Sequence, residues 1–167
     1  RGRMIIQSFD PIAAPNAEIL VLGSMPGIAS LEAGQYYAHP RNAFWPIMGE
    51  LYGAGPDKPY QVRVETLKVQ GVAVWDVLQF CQREGSLDSN IKAEVPNDFS
   101  TFFTQYPNIR RIALNGGKAA KSFERFARDH VPGSAQIVPA PSTSPAYAAM
   151  RFEQKCALWR AALLGDK

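Results

Sequence analysis

The segment Glu18-Ile-Leu-Val-Leu-Gly23 decides the fold of this chain. An unbroken apolar run that ends at a glycine is typical of a strand buried on both faces of a parallel sheet. Three further runs have a similar character: Gly71–Leu78, Ile109–Leu114 and the shorter Gln136–Val138, which Pro139 is expected to end. We therefore expect a short, mainly parallel, four-stranded sheet.

Helical segments separate these strands. The predicted helices are Ala43–Tyr52, which Gly53 ends, Pro59–Lys68, Phe99–Tyr106, Lys118–His130 and Ala146–Leu164, the longest. Gly23 to Asn42 shows no periodicity and is predicted to be a long loop. Strands that alternate with helices imply right-handed crossovers and a sheet covered on both faces. The expected fold class is α/β, a three-layer α/β/α sandwich.

The length and composition fit one globular domain. The chain has 167 residues, of which 46% are hydrophobic and 20% charged, and a domain of this size can bury a core without disulfides or metals. Residues 4–167 are therefore expected to form a single domain. Arg1-Gly2-Arg3 precede Met4 and are interpreted as an expression remnant.

Charge and cysteine content narrow the partners and the compartment. The net charge of +3 is compatible with a polyanionic partner and equally with an ordinary solvated surface. Cys81 and Cys156 lie far apart, which argues against a disulfide framework, a zinc site or an iron–sulfur cluster. No apolar run approaches the roughly 20 residues of a membrane span, and no secretory signal is evident. We expect a cytoplasmic protein without membrane contact.

Three glycine- and proline-rich segments follow predicted strands: Gly23–Gly27, Asn115–Gly117 and Pro139–Pro145. The carboxyl ends of parallel strands meet at one edge of a sheet, where ligands bind in such folds. Each segment alone is also compatible with an ordinary turn. None is a phosphate-binding GxxxxGK[ST] loop, and neither His39 nor His130 accompanies a nucleophile motif. His130 is expected at a helix end, so only His39 is a functional candidate.

The ordered set of motifs resembles the uracil-DNA glycosylase superfamily. The motifs are Gly23-Ser-Met-Pro-Gly27, His39-Pro-Arg-Asn-Ala-Phe-Trp45, Asn115-Gly-Gly-Lys118 and Pro141-Ser-Thr-Ser-Pro145. Tyr36-Tyr37, Trp75-Asp76 and Arg83–Asn90 are similar to the hypoxanthine-DNA glycosylase branch. The resemblance implies hydrolysis of an N-glycosidic bond in DNA, with neither a metal nor a cofactor.

Two positions depart from the pattern of the uracil-specific relatives. Those enzymes position the attacking water with an Asp or Asn in the first motif, where this chain has Met25. The resemblance to the hypoxanthine branch implies that Asn42 takes over this catalytic task. Without the resemblance, Asn42 is interpreted as a helix N-cap ahead of Ala43. The capping role and the catalytic role can coexist. Ala140 replaces a His that contacts a uracil carbonyl, so uracil is not the expected substrate.

The resemblance also assigns the remaining site residues. Tyr37 is expected to stack on a flipped base, unless it only packs beneath the loop. Asn115 is expected to bind a base edge, unless it is a turn residue. Trp75 and Asp76 are expected at the pocket edge, although a core tryptophan and a turn cap are the ordinary alternatives. Backbone N–H groups near the first motif are expected to stabilise the leaving base; the residues are Gly23, Ser24, Met25 and Pro26.

DNA contacts are expected from the last motif, Pro141–Pro145, and from the long loop that contains His39. Ser142 is expected to bind a phosphate, and Thr143, Ser144 and His39 complete the predicted DNA-binding set. The expected partner is double-stranded DNA that carries a deaminated base, with single strands possible as well, and the protein is expected to be a monomer. Two alternatives stay open at this point: a mismatch-specific uracil or thymine glycosylase, and a non-catalytic DNA-binding module of the same fold.

Overall fold

The computed structural model describes residues 5–165. Within this range the elements are, in chain order, β1 (Ile5–Gln7), β2 (Ile19–Gly23), α1 (Ile28–Ala33), α2 (Phe44–Tyr52), α3 (Tyr60–Val69), β3 (Val72–Asp76), β4 (Leu78–Gln82), β5 (Lys92–Pro96), α4 (Phe99–Gln105), β6 (Arg111–Asn115), α5 (Gly117–Phe126), β7 (Gln136–Ala140) and α6 (Phe152–Leu164). Residues 1–4, including the interpreted expression remnant, lie outside the described range. No helix in this range is both long and apolar enough to cross a bilayer.

The predicted four-stranded parallel sheet is confirmed, with the strand order β3-β2-β6-β7. β2 pairs in parallel with both neighbours, so that Ile19 lies opposite Val72 on one side and Arg111 on the other. Every residue of β2 and of β3 is buried. Their unbroken apolar runs follow from this burial, because both faces of a central parallel strand are covered.

Alternate side chains of β2 enter two separate cores. Val21 packs in one core with Phe44 and Trp159, which belong to α2 and α6. Leu20, which points the other way, packs in a second core with Phe123 of α5. The sheet therefore lies between two helical layers, and the predicted three-layer α/β/α sandwich is confirmed.

A second, antiparallel sheet of order β1-β4-β5 was not predicted. The run Gly71–Leu78 was interpreted as one strand that ends near Trp75 and Asp76, and β3 does end at Asp76. The second strand, β4, which begins at Leu78, was not predicted. β5 is mostly exposed and polar, has register shifts against β4, and contains Ala93 at a φ of 53°. Such a strand lacks the alternating pattern by which sequence reveals strands.

The structure corrects one predicted loop and two predicted boundaries. α1 lies inside the segment predicted to be a loop, and Gly34 ends this single short helix in the left-handed conformation. β7 continues through Pro139 to Ala140, because an edge strand tolerates a proline that lacks an N–H. The last helix begins at Phe152 rather than Ala146.

The other helices lie close to the predicted positions. α5 ends at Phe126, and a separate 3₁₀ turn, Arg128–His130, covers the rest of the predicted helix. Gly53 ends α2 at a φ of 74°, as predicted. The stretch ahead of α6 is held by side chains of the helix itself: Lys155 Nζ donates to Tyr147 O (2.7 Å), and Trp159 Nε1 donates to Pro141 O (2.9 Å).

Candidate active site

A cavity of about 360 Å³ lies at the carboxyl edge of the parallel sheet. The predicted site residues that line it are Gly23, Ser24, Met25, Pro26, Tyr37, His39, Asn42, Asp76, Asn115, Ser142, Thr143 and Ser144. The three loops predicted to meet at this edge therefore do meet. A space of this volume is within the range of pockets that enclose a small molecule.

Trp75 is the predicted site residue that the cavity does not include. Its ring stacks on Phe102, with ring centroids 4.6 Å apart and an angle of 23° between the planes. Its Nε1 donates to Phe9 O at 3.1 Å. Successive strand residues face opposite sides of a sheet, so Trp75 belongs to the core on one side while Asp76 lines the cavity. The prediction that Trp75 lies at the pocket edge was wrong.

Asp76 is a carboxyl group buried at the wall of the cavity. The residue is 3% exposed, and its Oδ2 has no hydrogen-bond partner among residues 5–165. Burial raises the pKa of Asp76, and the carboxylate of Asp88 raises it further, to about 7, although Arg83 acts in the opposite direction. A substantial fraction of the side chain is therefore protonated near neutral pH, unlike an ordinary aspartate.

Gly23 makes room for this carboxyl. A Cβ atom at Gly23 would lie 2.6 Å from Asp76 Oδ1 and 2.8 Å from the Tyr37 hydroxyl. Side chains do not approach each other so closely, so only glycine fits at the end of β2. Gly23, which ends β2, thus allows two polar groups to converge on the cavity wall.

Tyr37 is fixed from several sides. Its backbone has a φ of 54°, which is uncommon for a residue with a side chain. Its ring stacks on Phe44, with centroids 4.2 Å apart, and its hydroxyl accepts from Asn115 Nδ2 at 3.2 Å. Burial raises the pKa of Tyr37, which keeps the hydroxyl protonated. One face of the ring is occupied, so a ligand can reach only the other face or the hydroxyl.

Helix α1, which the sequence did not reveal, holds the backbone around Tyr37. Ser30 is buried, and its Oγ accepts from Ala38 N–H at 3.0 Å. Tyr36, which was named as part of a motif but not as a site residue, is buried and donates its hydroxyl to Asp10 O at 2.8 Å. The positive φ of Tyr37 is therefore imposed by contacts on both sides of it in the chain.

Asn115 is bound to the loop Pro141–Pro145 rather than left free for a base. Its Oδ1 accepts from Thr143 N–H (3.0 Å), and its Nδ2 donates to Thr143 Oγ1 (3.0 Å) as well as to Tyr37. Both protons of the amide are thus used within the chain. Asn115 is a positioning residue of the loop. The expected contact with a base edge would need a base atom that donates to the remaining lone pair of Oδ1, or one that displaces one of these bonds.

The same contacts decide the orientation of Thr143, which is 1% exposed. Its side chain holds the loop and does not face the solvent, whereas Ser142 and Ser144 are half-buried at the cavity. Ser142 Oγ accepts from Ser144 N–H at 3.2 Å, which leaves its hydroxyl proton available. Gly116, at a φ of 91°, lies so close to Ser142 that an added Cβ would be 3.0 Å from the serine Cβ.

Asn42 caps the start of α2 and lines the cavity at the same time. Its Oδ1 accepts from Phe44 N–H at 2.9 Å, so it satisfies a free N–H of the first turn as predicted, although the N-cap position itself belongs to Ala43. The next residue, Ala43, donates its N–H to Thr143 O at 2.9 Å. An amide oxygen has two lone pairs, so one lone pair of Oδ1 and the Nδ2 group of Asn42 are available to a ligand or a water molecule.

His39 completes the loop that leads to Asn42. Its O accepts from Asn42 N–H at 3.0 Å, and its Nδ1 accepts from Arg41 N–H at 3.1 Å. The imidazole is therefore oriented with Nε2 as the atom free to contact a ligand. This geometry suits a donor to a phosphate at the mouth of the cavity.

A further wall of the cavity consists of Ser86, Leu87, Asp88 and Ser89, which sequence reasoning did not assign to the site. Ser24 Oγ donates to Asp88 Oδ1 at 2.8 Å, and Ile28 N–H donates to Ser86 Oγ at 2.8 Å. The buried guanidinium of Arg83 donates to the carbonyl oxygens of Pro26 and Gly85. The polar composition of Arg83–Asn90 indicated a connection, but nothing in it indicated which strand end the connection covers.

Among residues 5–165, no group of three or more His, Cys, Asp or Glu side chains is placed to hold a metal ion.

Comparisons with known proteins identify the family of this chain. A family model described as the uracil DNA glycosylase superfamily matches residues 11–163. A hypoxanthine DNA glycosylase from Methanosarcina barkeri is 40% identical over 116 residues, 69% of this chain and 73% of the relative. One from Methanosarcina acetivorans is 40% identical over 119 residues, 71% of this chain and 75% of that protein.

A solved structure shows the same fold. It is a solution NMR structure of a candidate uracil DNA glycosylase from Methanosarcina acetivorans, with a TM-score of 0.77 and 35% sequence identity. The match covers 95% of this chain and 99% of that chain.

Proposed function

This chain belongs to the uracil DNA glycosylase superfamily and is a DNA glycosylase, and from that premise we propose that its preferred substrate is hypoxanthine in double-stranded DNA. We propose further that one domain, residues 4–167, acts as a monomer. The curated relatives named for hypoxanthine support the choice of base. The observation that carries the proposal is that Asn42, Asp76 and the loop Pro141–Pro145 surround one cavity of about 360 Å³.

The base must leave the helix before it can be cleaved. Extrusion of a base costs a few kcal/mol of stacking and pairing, and this cost is smallest for a weakened pair such as one with inosine. Ser142, Ser144 and His39 have donors at the cavity and would bind the flanking phosphates. The half-exposed side chains of Ile28, Leu87 and Tyr147 line the same cavity and offer apolar surface to the unstacked bases.

Asn42 is the proposed positioning group for water. Its cap to Phe44 fixes the amide, and the free lone pair of Oδ1 would accept a proton of a water molecule that faces the sugar C1′. In the reaction, the water oxygen bonds to C1′ while the C1′–N9 bond breaks and its electron pair passes to the base. The water loses a proton to solvent, and the released base takes one up. An amide cannot accept that proton, so Asn42 acts by orientation rather than as a general base.

The departing base carries the electron pair of the broken bond. Hypoxanthine spreads this charge onto its O6, which makes it a better leaving group than adenine. Ala140 cannot contact a carbonyl oxygen of uracil, which supports hypoxanthine over uracil as the preferred base.

The experiment uses otherwise identical duplexes that carry one inosine, uracil, xanthine or adenine, incubated with the protein in EDTA and then treated with alkali to reveal abasic sites. We expect the inosine duplex to be cleaved fastest and Asn42→Ala to lose this activity. Asn42→Asp is the matched variant, because a carboxylate keeps an acceptor for both the cap and the water, and it should retain measurable cleavage. Faster cleavage of uracil would indicate a mismatch-uracil glycosylase, and binding without cleavage a non-catalytic module.

A further inference from the structure

The carboxyl of Asp76 is the polar group of the cavity wall that the proposed reaction has not used. It is 3% exposed, it lines the cavity, and its Oδ2 has no partner within the described part of the chain. A buried ionised carboxylate without hydrogen bonds is strongly disfavoured, whereas a buried carboxylic acid needs only an acceptor for its proton. Oδ2 itself is closed to solvent, so an acceptor that enters the cavity would meet the carboxyl group at Oδ1, the oxygen that lies next to Gly23.

The charged and titratable groups around Asp76 favour the protonated form. Asp88, from the wall segment, faces it with a like charge, and Arg83 opposes this effect. The guanidinium of Arg83 donates to the carbonyl oxygens of Pro26 and Gly85 and forms no ion pair with Asp76. On the remaining side lie Tyr36 and Tyr37, both neutral because burial raises their pKa values. The pKa of Asp76 of about 7 agrees with this arrangement.

The Tyr37 hydroxyl lies beside the carboxyl. Both Asp76 Oδ1 and the Tyr37 oxygen lie within 2.8 Å of the one point where a Cβ of Gly23 would be. The tyrosine oxygen accepts from Asn115, and its own proton has no acceptor among the hydrogen bonds of the described residues. Two O–H donors, one acidic and one phenolic, thus converge at the end of β2.

We propose that the protonated Asp76 and the Tyr37 hydroxyl together bind the carbonyl oxygen that deamination creates on a base, O6 in hypoxanthine. This inference rests on the proposed function and gives it a basis for selectivity. An oxygen with two lone pairs accepts both donors. The amino group of adenine is itself a donor at that position, so adenine would leave both buried donors unpaired, which costs much more than a hydrogen bond gains.

The same two donors also assist bond cleavage. As the C1′–N9 bond breaks, its electron pair delocalises from N9 to O6, and donors already aimed at O6 stabilise that charge. The proton stays on Asp76, so the step needs no proton transfer from the protein. A neutral carboxyl beside a tyrosine is a known way to hold such an oxyanion, and here it would supply the contact that Ala140 cannot make. Tyr37 then contacts the base through its hydroxyl rather than by stacking.

The test is the pH profile of single-turnover inosine cleavage between pH 5 and pH 9. We expect wild-type cleavage to fall above about pH 7 as Asp76 ionises, by up to about tenfold per pH unit. Asp76→Asn keeps a donor that cannot ionise, so its profile should lack this decline. Asp76→Ala should lower the rate by about 100-fold at pH 6. A profile of Asp76→Asn that declines like the wild type would overturn the proposal.

Two controls make the profile specific. Asp88→Asn keeps an acceptor for Ser24 but removes the like charge, so the decline should move to lower pH. Asp129→Asn, on the exposed turn after α5, should leave the profile unchanged. Thermal unfolding of each variant at pH 6 verifies that it is folded. If the cleavage rate of Asp88→Asn declines at the same pH as that of the wild type, the decline does not come from ionisation of Asp76.

A binding measurement separates this inference from the proposed function. Calorimetry of the wild type with free hypoxanthine and with purine, which lacks the oxygen, should show about tenfold tighter binding of hypoxanthine at pH 6. The preference should shrink at pH 8, and it should be weaker than in the wild type at pH 6 in Asp76→Ala, where the Tyr37 hydroxyl is the donor that remains. If no duplex is cleaved, the proposed function fails while this preference still tests the donor pair. Equal binding of the two bases would overturn the donor pair even in an active enzyme.

Discussion

The amide of Asn115 is bonded at both ends to Thr143: its oxygen accepts from the Thr143 N–H, and its nitrogen donates to the Thr143 hydroxyl, each at 3.0 Å. This pair joins the end of β6 to the loop Pro141–Pro145. It holds the loop in place through side-chain contacts, since the parallel sheet ends at Asn115 and Ala140. Asn115 is therefore one of the anchors of the loop at the mouth of the cavity, beside the hydrogen bonds from Ala43 N–H and Trp159 Nε1.

Replacing Asn115 by Ala should destabilise the protein and weaken DNA binding together. The change leaves the buried N–H and hydroxyl of Thr143 without partners, which costs about 1–3 kcal/mol. Urea unfolding and titration with an inosine duplex measure the two effects. Asn16→Ala removes a single exposed bond to Lys68 O and should cost less than about 0.5 kcal/mol. Undiminished DNA affinity in Asn115→Ala would show that the loop does not need this anchor.

The two roles of Asn42 should be separable by substitution. Asn42→Ala loses the cap to Phe44 N–H and should cost about 1 kcal/mol in the free energy of unfolding. Asn42→Ser keeps a capping oxygen and should recover most of that stability, yet it has no amide to orient a water molecule. Denaturant unfolding and inosine cleavage are measured on the same samples. Recovery of cleavage in Asn42→Ser would contradict the role of the amide.

Gly23→Ala should be poorly tolerated. Its Cβ would lie 2.6 Å from Asp76 Oδ1 and 2.8 Å from the Tyr37 hydroxyl, and overpacking of this kind costs about 1–3 kcal/mol. The cost should be smaller when Asp76 is also replaced by Gly, and a double-mutant cycle measures the difference. At Gly133 no atom lies within 4 Å of an added Cβ, so Gly133→Ala serves as a neutral control.

The stability of the protein should fall as the pH rises through the range where Asp76 ionises only in the unfolded state. An unfolded aspartate titrates near pH 3.9, and the folded pKa is about 7. The folded state therefore binds the extra proton between these values, and its stability declines across this window and is constant above it. Asp76→Asn should lack this contribution and unfold at a higher temperature than the wild type at pH 8. At pH 3 the two proteins should differ little, as differential scanning calorimetry can measure.

The sequence predicted the parallel sheet because β2 and β3 are buried on both faces, and full burial demands the unbroken apolar runs that were recognised. The sequence did not predict β5, because an exposed strand does not need an apolar run, and a residue at positive φ interrupts its regular pattern. α1 was missed for a related reason: six residues are too few to establish a helical period.

For the site, the sequence located the strand ends that meet but not the side chains that satisfy one another. Asn115 and Thr143 were both assigned to ligands, and the structure bonds them to each other. Trp75 was placed at the pocket because it precedes Asp76, although neighbouring strand residues face opposite ways. The wall Ser86–Ser89 contacts the first motif across more than fifty residues of chain, and such a contact leaves no local pattern.

The hydrogen bond from Ala43 N–H to Thr143 O links two parts of the molecule that have different tasks in the proposed reaction. Asn42 precedes Ala43 directly, and Thr143 lies between the two serines that would grip the backbone of DNA. If a DNA strand binds poorly to those serines, the loop would shift. Through this hydrogen bond the shift would reach Ala43, which is next to Asn42. Under the proposed function, alignment of the water with the sugar C1′ would therefore depend on how the DNA strand binds to this loop, so that a poorly bound strand would also be cleaved slowly.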